Sequence, residues 1–306
     1  MVLDIISYHY VRNNESHFFD TFSRRIDEFE SQVNYLSEKG EIVDPNDKNM
    51  IDFYINNESN LGYLLTFDDG YKDHLYCAEY LSSNNFYGIF FPIIDSVKGK
   101  YMPANIIHML LGNRNLNTKI IMESLHKILS SHKVKIFYLE REMFIDEYLD
   151  NFKVEYPYDD KETLVIKMLL QKDIASEEVR NNILNELFDK LVKKNSYDLM
   201  NQLYLDLKDL KSIKSMGMVI GSHTVSHRWL ASLDFDSQRK EILESFQILR
   251  DWALIKENEV TSICYPSSSY NKITLDLVRK LNIDFGITQN KGSVCSKFKD
   301  YDPKAL

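Results

Sequence analysis

Three features of the sequence predict an α/β fold built on a parallel sheet or barrel. Short apolar, β-rich runs recur along the chain, and amphipathic stretches of helical period lie between several of them. From about Lys100 to Leu210 the strand signal stops and helix formers mixed with Lys, Glu and Asp take over. Strands alternating with helices point to βαβ units, so the parallel arrangement follows from the rhythm.

The predicted strands are Leu3–His9, Leu61–Phe67, Phe86–Ile93, Met218–Ser222, Thr261–Tyr265 and Phe285–Thr288. Within Phe18–Lys39, the residues Phe22, Ile26, Phe29, Val33 and Leu36 recur at steps of three and four, which predicts a helix with one apolar face. Asp236–Ile255 repeats the pattern through Ile242, Phe246, Leu249, Trp252 and Ala253, with Asp236 placed where an N-cap would stand. In the middle, Leu125–Leu129, Glu178–Lys193 and Leu203–Met216 read as helices. The expected organisation is one α/β domain over residues 1–306, interrupted by a helical insertion at about 100–202.

Composition excludes several classes of function. The 306 residues suffice for a large core, and the balance of 44% apolar to 27% charged residues is that of a soluble globular protein. A net charge of −9, with no basic run, argues against a nucleic-acid or anionic-membrane surface. No apolar window approaches the roughly 20 residues of a membrane helix. The N-terminus lacks the basic start and long apolar stretch of a secretory signal, so a cytoplasmic protein is expected. Cys77, Cys264 and Cys295 show no CxxC spacing, and neither a disulfide framework nor a thiolate zinc site is indicated.

Three segments carry chemistry. In Leu64-Leu65-Thr66-Phe67-Asp68-Asp69-Gly70 two carboxylates follow a strand and precede a helix, where α/β folds place their sites. Carboxylates this close repel unless a cation or a shared proton relieves them. One bound to a metal and the other to its water resolves the conflict; acids decorating a helix N-terminus are an equal alternative for this segment alone. In Gly221-Ser222-His223-Thr224-Val225-Ser226-His227 two histidines follow another strand and can converge on one ion if the turn between them is helical, though HxxxH alone is a weak signal. Together the segments offer a three-ligand set with positions left for water and substrate, the pattern of a hydrolytic site. The third, Ser262-Ile263-Cys264-Tyr265-Pro266-Ser267-Ser268-Ser269-Tyr270-Asn271, runs from a strand into a Ser-rich turn. It either aims backbone N–H groups and a tyrosine at a sugar or is a plain strand-to-helix turn.

With these residues the chain resembles the NodB-type polysaccharide deacetylases, carbohydrate esterase family four. Their Thr-Phe-Asp-Asp-Gly motif stands unchanged at Thr66–Gly70, their His-Ser/Thr-x-x-His as His223–His227, and a bacterial variant of their third motif as Tyr265-Pro266 with Tyr270-Asn271. Tyr8-His9 and Phe285–Thr288 are similar at positions of lower specificity. The likeness lies in two blocks, near 1–95 and 203–295. It implies a distorted (β/α) barrel and a divalent metal, zinc first, with cobalt or nickel as alternatives. It assigns Asp68 as the base that activates water and Asp69, His223 and His227 as ligands. It also places His9, Tyr265, Pro266 and Ser267 around the substrate.

The chain departs from that pattern in three ways. The third motif has no arginine, its turn reads Ser267-Ser268 where relatives carry an aromatic and a glycine, and no histidine follows His227. The proton for a leaving amine then comes from His9 or from the acid form of Asp68. The implied function is an N-deacetylase acting on an acetamido sugar (nucleotide-linked, lipid-linked or oligosaccharide) in bacterial surface polysaccharide synthesis. The alternatives are a catalytically inactive barrel that binds glycans or a partner, and a metal-dependent hydrolase of a formamido group or cyclic imide.

Overall fold

The computed structural model describes residues 3–13, 23–56, 61–113, 115–132, 134, 160–174, 176–192, 202–289, 293–294 and 302–306. Phe18, Phe22 and Cys295 lie outside the described residues. The chain divides into two compact units: one from residues within 1–14, 23–100 and 202–306, the other from the described residues between 101 and 201.

In the first unit the elements run β1 (Leu3–Tyr8), α1 (Ile26–Lys39), β2 (Glu41–Ile42), α2 (Lys48–Asn56), β3 (Gly62–Asp69), α3 (His74–Ser83), β4 (Ile89–Pro92) and α4 (Ile94–Val97). All eight residues of β3 are buried, as expected of a parallel strand covered on both faces. β1 pairs along the whole of β3, from Leu3 with Gly62 to Tyr8 with Phe67. The other edge of β3 is shared by β2 at its start and β4 at its end.

The second unit holds α5 (Pro103–Leu111), α6 (Thr118–Ser131), α7 (Lys161–Met168) and α8 (Glu177–Val192), and no strand among its described residues. Asn117 and Asp160 cap α6 and α7 by accepting from the backbone N–H groups of Ile120 and Thr163. The apolar faces, Ile121, Leu125 and Ile128 on α6 and Ile183, Leu184 and Leu187 on α8, are buried as the two helices pack together.

The first unit then resumes with α9 (Leu207–Ser215), β5 (Val219–Ile220), α10 (Phe235–Asp251), β6 (Ser262–Cys264), α11 (Lys272–Lys280) and β7 (Phe285–Ile287). β5 pairs with β4, and β6 with β7, all parallel. Among the described residues, a parallel bridge, Ser222 with Ile263, joins the two sheets. The result is a distorted (β/α) barrel in which all six expected strands are present. The sequence did not mark the two-residue β2 or helix α2. The N-cap of α10 is Asp234, whose carboxylate accepts from Ser237 N–H at 2.8 Å, not the expected Asp236.

Strand alternation sorts the core. Leu3, Leu64, Ile89, Phe91, Val219, Cys264, Phe285 and Ile287 form one apolar cluster, while Tyr8, Leu65, Phe67, Phe90, Ile220 and Ile263 join the helices in another. Because side chains two apart share a face, Ser7 lies on the face of Leu3 and Ile5, and Asp68 on that of Leu64 and Thr66. Gly221 sits where a Cβ would come within 2.3 Å of the Phe91 ring, so only glycine lets the chain leave β5 this close to β4.

Candidate active site

Both acidic motif residues end β3. Asp69 has φ +72° and Gly70 φ +72°, a left-handed pair that turns the chain off the strand; aspartate tolerates this conformation better than most residues. Asp68 and Asp69 are 1% and 4% exposed, so their charges need compensation.

For Asp69 the compensation comes from the second motif. Its Oδ1 lies 3.3 Å from His223 Nε2 and 3.4 Å from His227 Nε2, and the three ligand atoms all lie within 4.8 Å of one another. Its Oδ2 accepts from the Tyr71 hydroxyl at 2.5 Å. His223 Nδ1 stands 2.8 Å from the carbonyl of Cys264. A carbonyl can only accept, so Nδ1 carries a proton, and in the neutral ring it is Nε2 that holds the lone pair. Asp69 Oδ1 itself is buried without a hydrogen-bond donor. A buried carboxylate oxygen left unpartnered, with two imidazole nitrogens turned toward it, fits a borderline divalent ion such as zinc, cobalt or nickel.

The electrostatics agree. Burial works against ionisation of Asp69, but His223, His227 and His9 outweigh it and hold the carboxyl well below the usual range. Burial works against a charged His223 as well, and Asp69 and Asp68 reverse that, raising its pKa.

Asp68 occupies the neighbouring position on the inner face. Its Oδ2 accepts from Ser7 Oγ at 3.0 Å and faces His9 Nε2 at 3.8 Å, while Oδ1 is buried and without a donor. His9 is 35% exposed, so a ligand can reach its ring. Burial, and then the charge of Asp68, pushes the Cys264 thiol well up, so it stays protonated.

The third motif divides. Tyr265 is fully buried, its ring 5.2 Å from that of Tyr270, and its hydroxyl donates to the Lys304 carbonyl at 2.5 Å. That side chain packs in the core, its hydroxyl held by the Lys304 carbonyl. Pro266 is buried as well. Ser267 (φ +52°) and Ser268 (φ +50°) are both left-handed. Ser268 and Ser269 spend their N–H groups on the carbonyls of Tyr265 and Pro266.

Several supporting residues were not singled out from the sequence. Tyr71 follows Gly70 directly and is fully buried, stacked at 4.2 Å on Tyr10. His74 is fully buried and donates from Nε2 to the His9 carbonyl at 2.7 Å. Asp73 accepts from Val11 N–H at 3.3 Å and Arg12 Nε at 2.7 Å, so the start of α3 holds the segment that carries His9. Glu241, on α10, accepts from the loop between the two histidines.

The polysaccharide deacetylase family model matches residues 167–286, a stretch that contains His223, His227 and Tyr265-Pro266 but not Thr66–Gly70. An uncharacterized ATP-binding protein of Methanocaldococcus jannaschii is 31% identical over 123 residues, 38% of this chain; the match covers 30% of that protein's length. Among solved structures, the deacetylase PplD of Streptococcus pyogenes, determined with acetate, is similar with a TM-score of 0.52 at 16% identity, covering 95% of this chain and 85% of that one. The BpsB deacetylase domain of Bordetella bronchiseptica gives 0.52 at 14% identity, covering 99% and 93%. At these identities the structural likeness is one of fold. In motifs and in fold the chain resembles the NodB-type polysaccharide deacetylases.

Proposed function

We propose that the chain is a metal-dependent N-deacetylase that hydrolyses the acetamido group of a sugar carried on an oligosaccharide, a lipid or a nucleotide. The observation that carries this reading is the convergence of Asp69 Oδ1, His223 Nε2 and His227 Nε2 beside a second buried carboxylate, Asp68, whose Oδ1 has no donor. The resemblance in motifs and fold supports it independently.

In this reading Asp69, His223 and His227 hold a divalent ion. When bound, such an ion acidifies water and polarises an amide carbonyl. Asp68 Oδ1 takes the proton of the attacking water, and the oxygen so freed adds to the acetamido carbon. Ser7 holds the other oxygen of Asp68 and keeps Oδ1 turned to its task. The N–H of Ser267, in a turn whose next two N–H groups are already spent, stabilises the carbonyl oxygen as it gains charge. The C–N bond then breaks, and the amine leaves with a proton from His9, the histidine that stands 3.8 Å from Asp68 in a chain with none after His227. The products are acetate and a free amino sugar.

Acetate release from a panel of acetamido sugars, with zinc, cobalt or nickel added, tests the reading. The wild-type chain is expected to release acetate, and Asp68→Asn and His223→Ala to lose that activity while keeping the far-UV spectrum of the folded protein. Activity retained in either variant refutes the assignment. The missing motif-three arginine and late histidine favour a second reading, a glycan- or partner-binding barrel without turnover. Binding of an acetamido oligosaccharide with no acetate released under any of the three metals would select it.

A further inference from the structure

The loop that carries both histidines is held in an unfavourable backbone shape. Thr224 (φ +65°) and His227 (φ +57°) are left-handed, and neither is glycine. Side chains with a Cβ resist this region, so the surroundings must impose it.

Two elements grip the loop from opposite sides. At the start of α4, Ile94 N–H and Asp95 N–H donate to the carbonyls of Thr224 and Val225 at 3.3 and 2.9 Å. From α10, Glu241 accepts in the other direction. Its Oε2 takes Val225 N–H at 3.0 Å and Ser226 N–H at 2.9 Å, and its Oε1 takes Ser226 Oγ at 2.5 Å. Glu241 is only 8% exposed and spends both oxygens on these two residues.

Glu241 belongs to a buried polar stripe on one face of α10, with Gln238 and Ser245 one turn to either side. Ser245 Oγ lies 2.6 Å from Ser222 Oγ, which in turn accepts from Thr224 N–H at 3.1 Å. Gln238 donates to the Leu233 carbonyl and accepts from Thr274 Oγ1 at 2.7 Å. Ser245 therefore secures the entry to the histidine loop, Glu241 its middle and Gln238 the segment beyond it. A helix that only packed against the sheet would need apolar residues at these positions.

We infer that Glu241 is a positioning residue for the metal ligands, holding the Thr224–His227 turn so that both Nε2 atoms face Asp69 Oδ1. The inference rests on the metal-site reading above. An acceptor-only group is required at 241, because three donors converge there. Partners one step behind the ligands typically change metal affinity 10–100-fold when removed.

Zinc alone is the probe, titrated into the full chain after chelator treatment, with cobalt(II) absorption reporting ligand geometry. Wild type is expected to bind one ion, Glu241→Ala to bind zinc 10–100-fold more weakly with an altered cobalt spectrum, and Glu241→Gln to fall between them. Glutamine keeps one acceptor and the side-chain length, so it carries the test if the alanine variant does not fold; Ser226→Ala, which removes one of the three bonds, carries it as well. Variants that match wild type in zinc affinity and cobalt spectrum overturn the inference. A reduced affinity that only mirrors unfolding of the metal-free protein, read from its melting temperature, also overturns it. A wild-type chain that takes up no zinc overturns instead the metal reading on which it stands.

Discussion

The Tyr71 hydroxyl donates to Oδ2 of Asp69 at 2.5 Å and so leaves Oδ1 as the oxygen that faces His223 and His227. Both groups are buried, and burial, then the charge of Asp69, keeps the phenol protonated, with its pKa well above the ordinary value. The bond therefore runs one way and sets which oxygen is presented. Tyr71→Phe is expected to weaken zinc binding by about tenfold or more and to lower folding stability by roughly 1–3 kcal/mol, the cost of a buried acceptor left unpaired. Zinc titration and urea unfolding of the metal-free protein read the two effects separately.

Asp68 and Asp69 are adjacent but are expected to fail differently. Asp68→Asn should keep its metal and lose about 10²–10⁴ in kcat, the range for a general base. Ion content and acetate release measured on the same sample distinguish this from a variant that has lost the ion.

His9 offers a parallel test. Its ring stands at Asp68 but outside the ligand cluster. His9→Gln is expected to bind zinc as wild type does while kcat falls by about 10²–10⁴. A variant with wild-type kcat would return the proton-donor role to the acid form of Asp68.

Much of this arrangement was legible in the sequence because parallel strands buried on both faces read as apolar runs, and both motifs stand directly at the ends of such runs. Other parts were not. Glu241 lies on a helix whose apolar period already explained its burial, and a buried glutamate has the same spacing signature as a solvated one. Tyr265 stands in a motif, and nothing in residue type or spacing shows that its side chain packs in the core. Asp234 and Asp236 are equally good caps by residue type, and only backbone conformation separates them. The Glu41–Ile42 strand is too short to show a period of two.

His74 predicts a pH dependence of stability. It is fully buried with Nδ1 unpartnered, and burial brings its pKa down to about 3. The folded protein thus leaves it neutral where the unfolded chain, with an ordinary pKa near 6.5, takes up a proton. Below about pH 6.5 the unfolded state binds more protons, so stability is lost as pH falls, by about 1.4 kcal/mol per pH unit from this group until about pH 3. Between pH 7 and pH 5 its contribution to the loss is about 2 kcal/mol. Urea unfolding of the metal-free protein at the two pH values checks this, and His74→Phe should remove that part of the slope while the remaining titrating groups keep theirs.

Asp69, His223 and His227 are expected to hold one divalent ion. Metal analysis of the purified chain beside Asp69→Ala tests this most directly. One ion per wild-type chain, and loss of that ion in the variant, are expected. A variant that keeps a full equivalent of metal, or a wild-type chain that takes up none when zinc, cobalt and nickel are supplied, would contradict it.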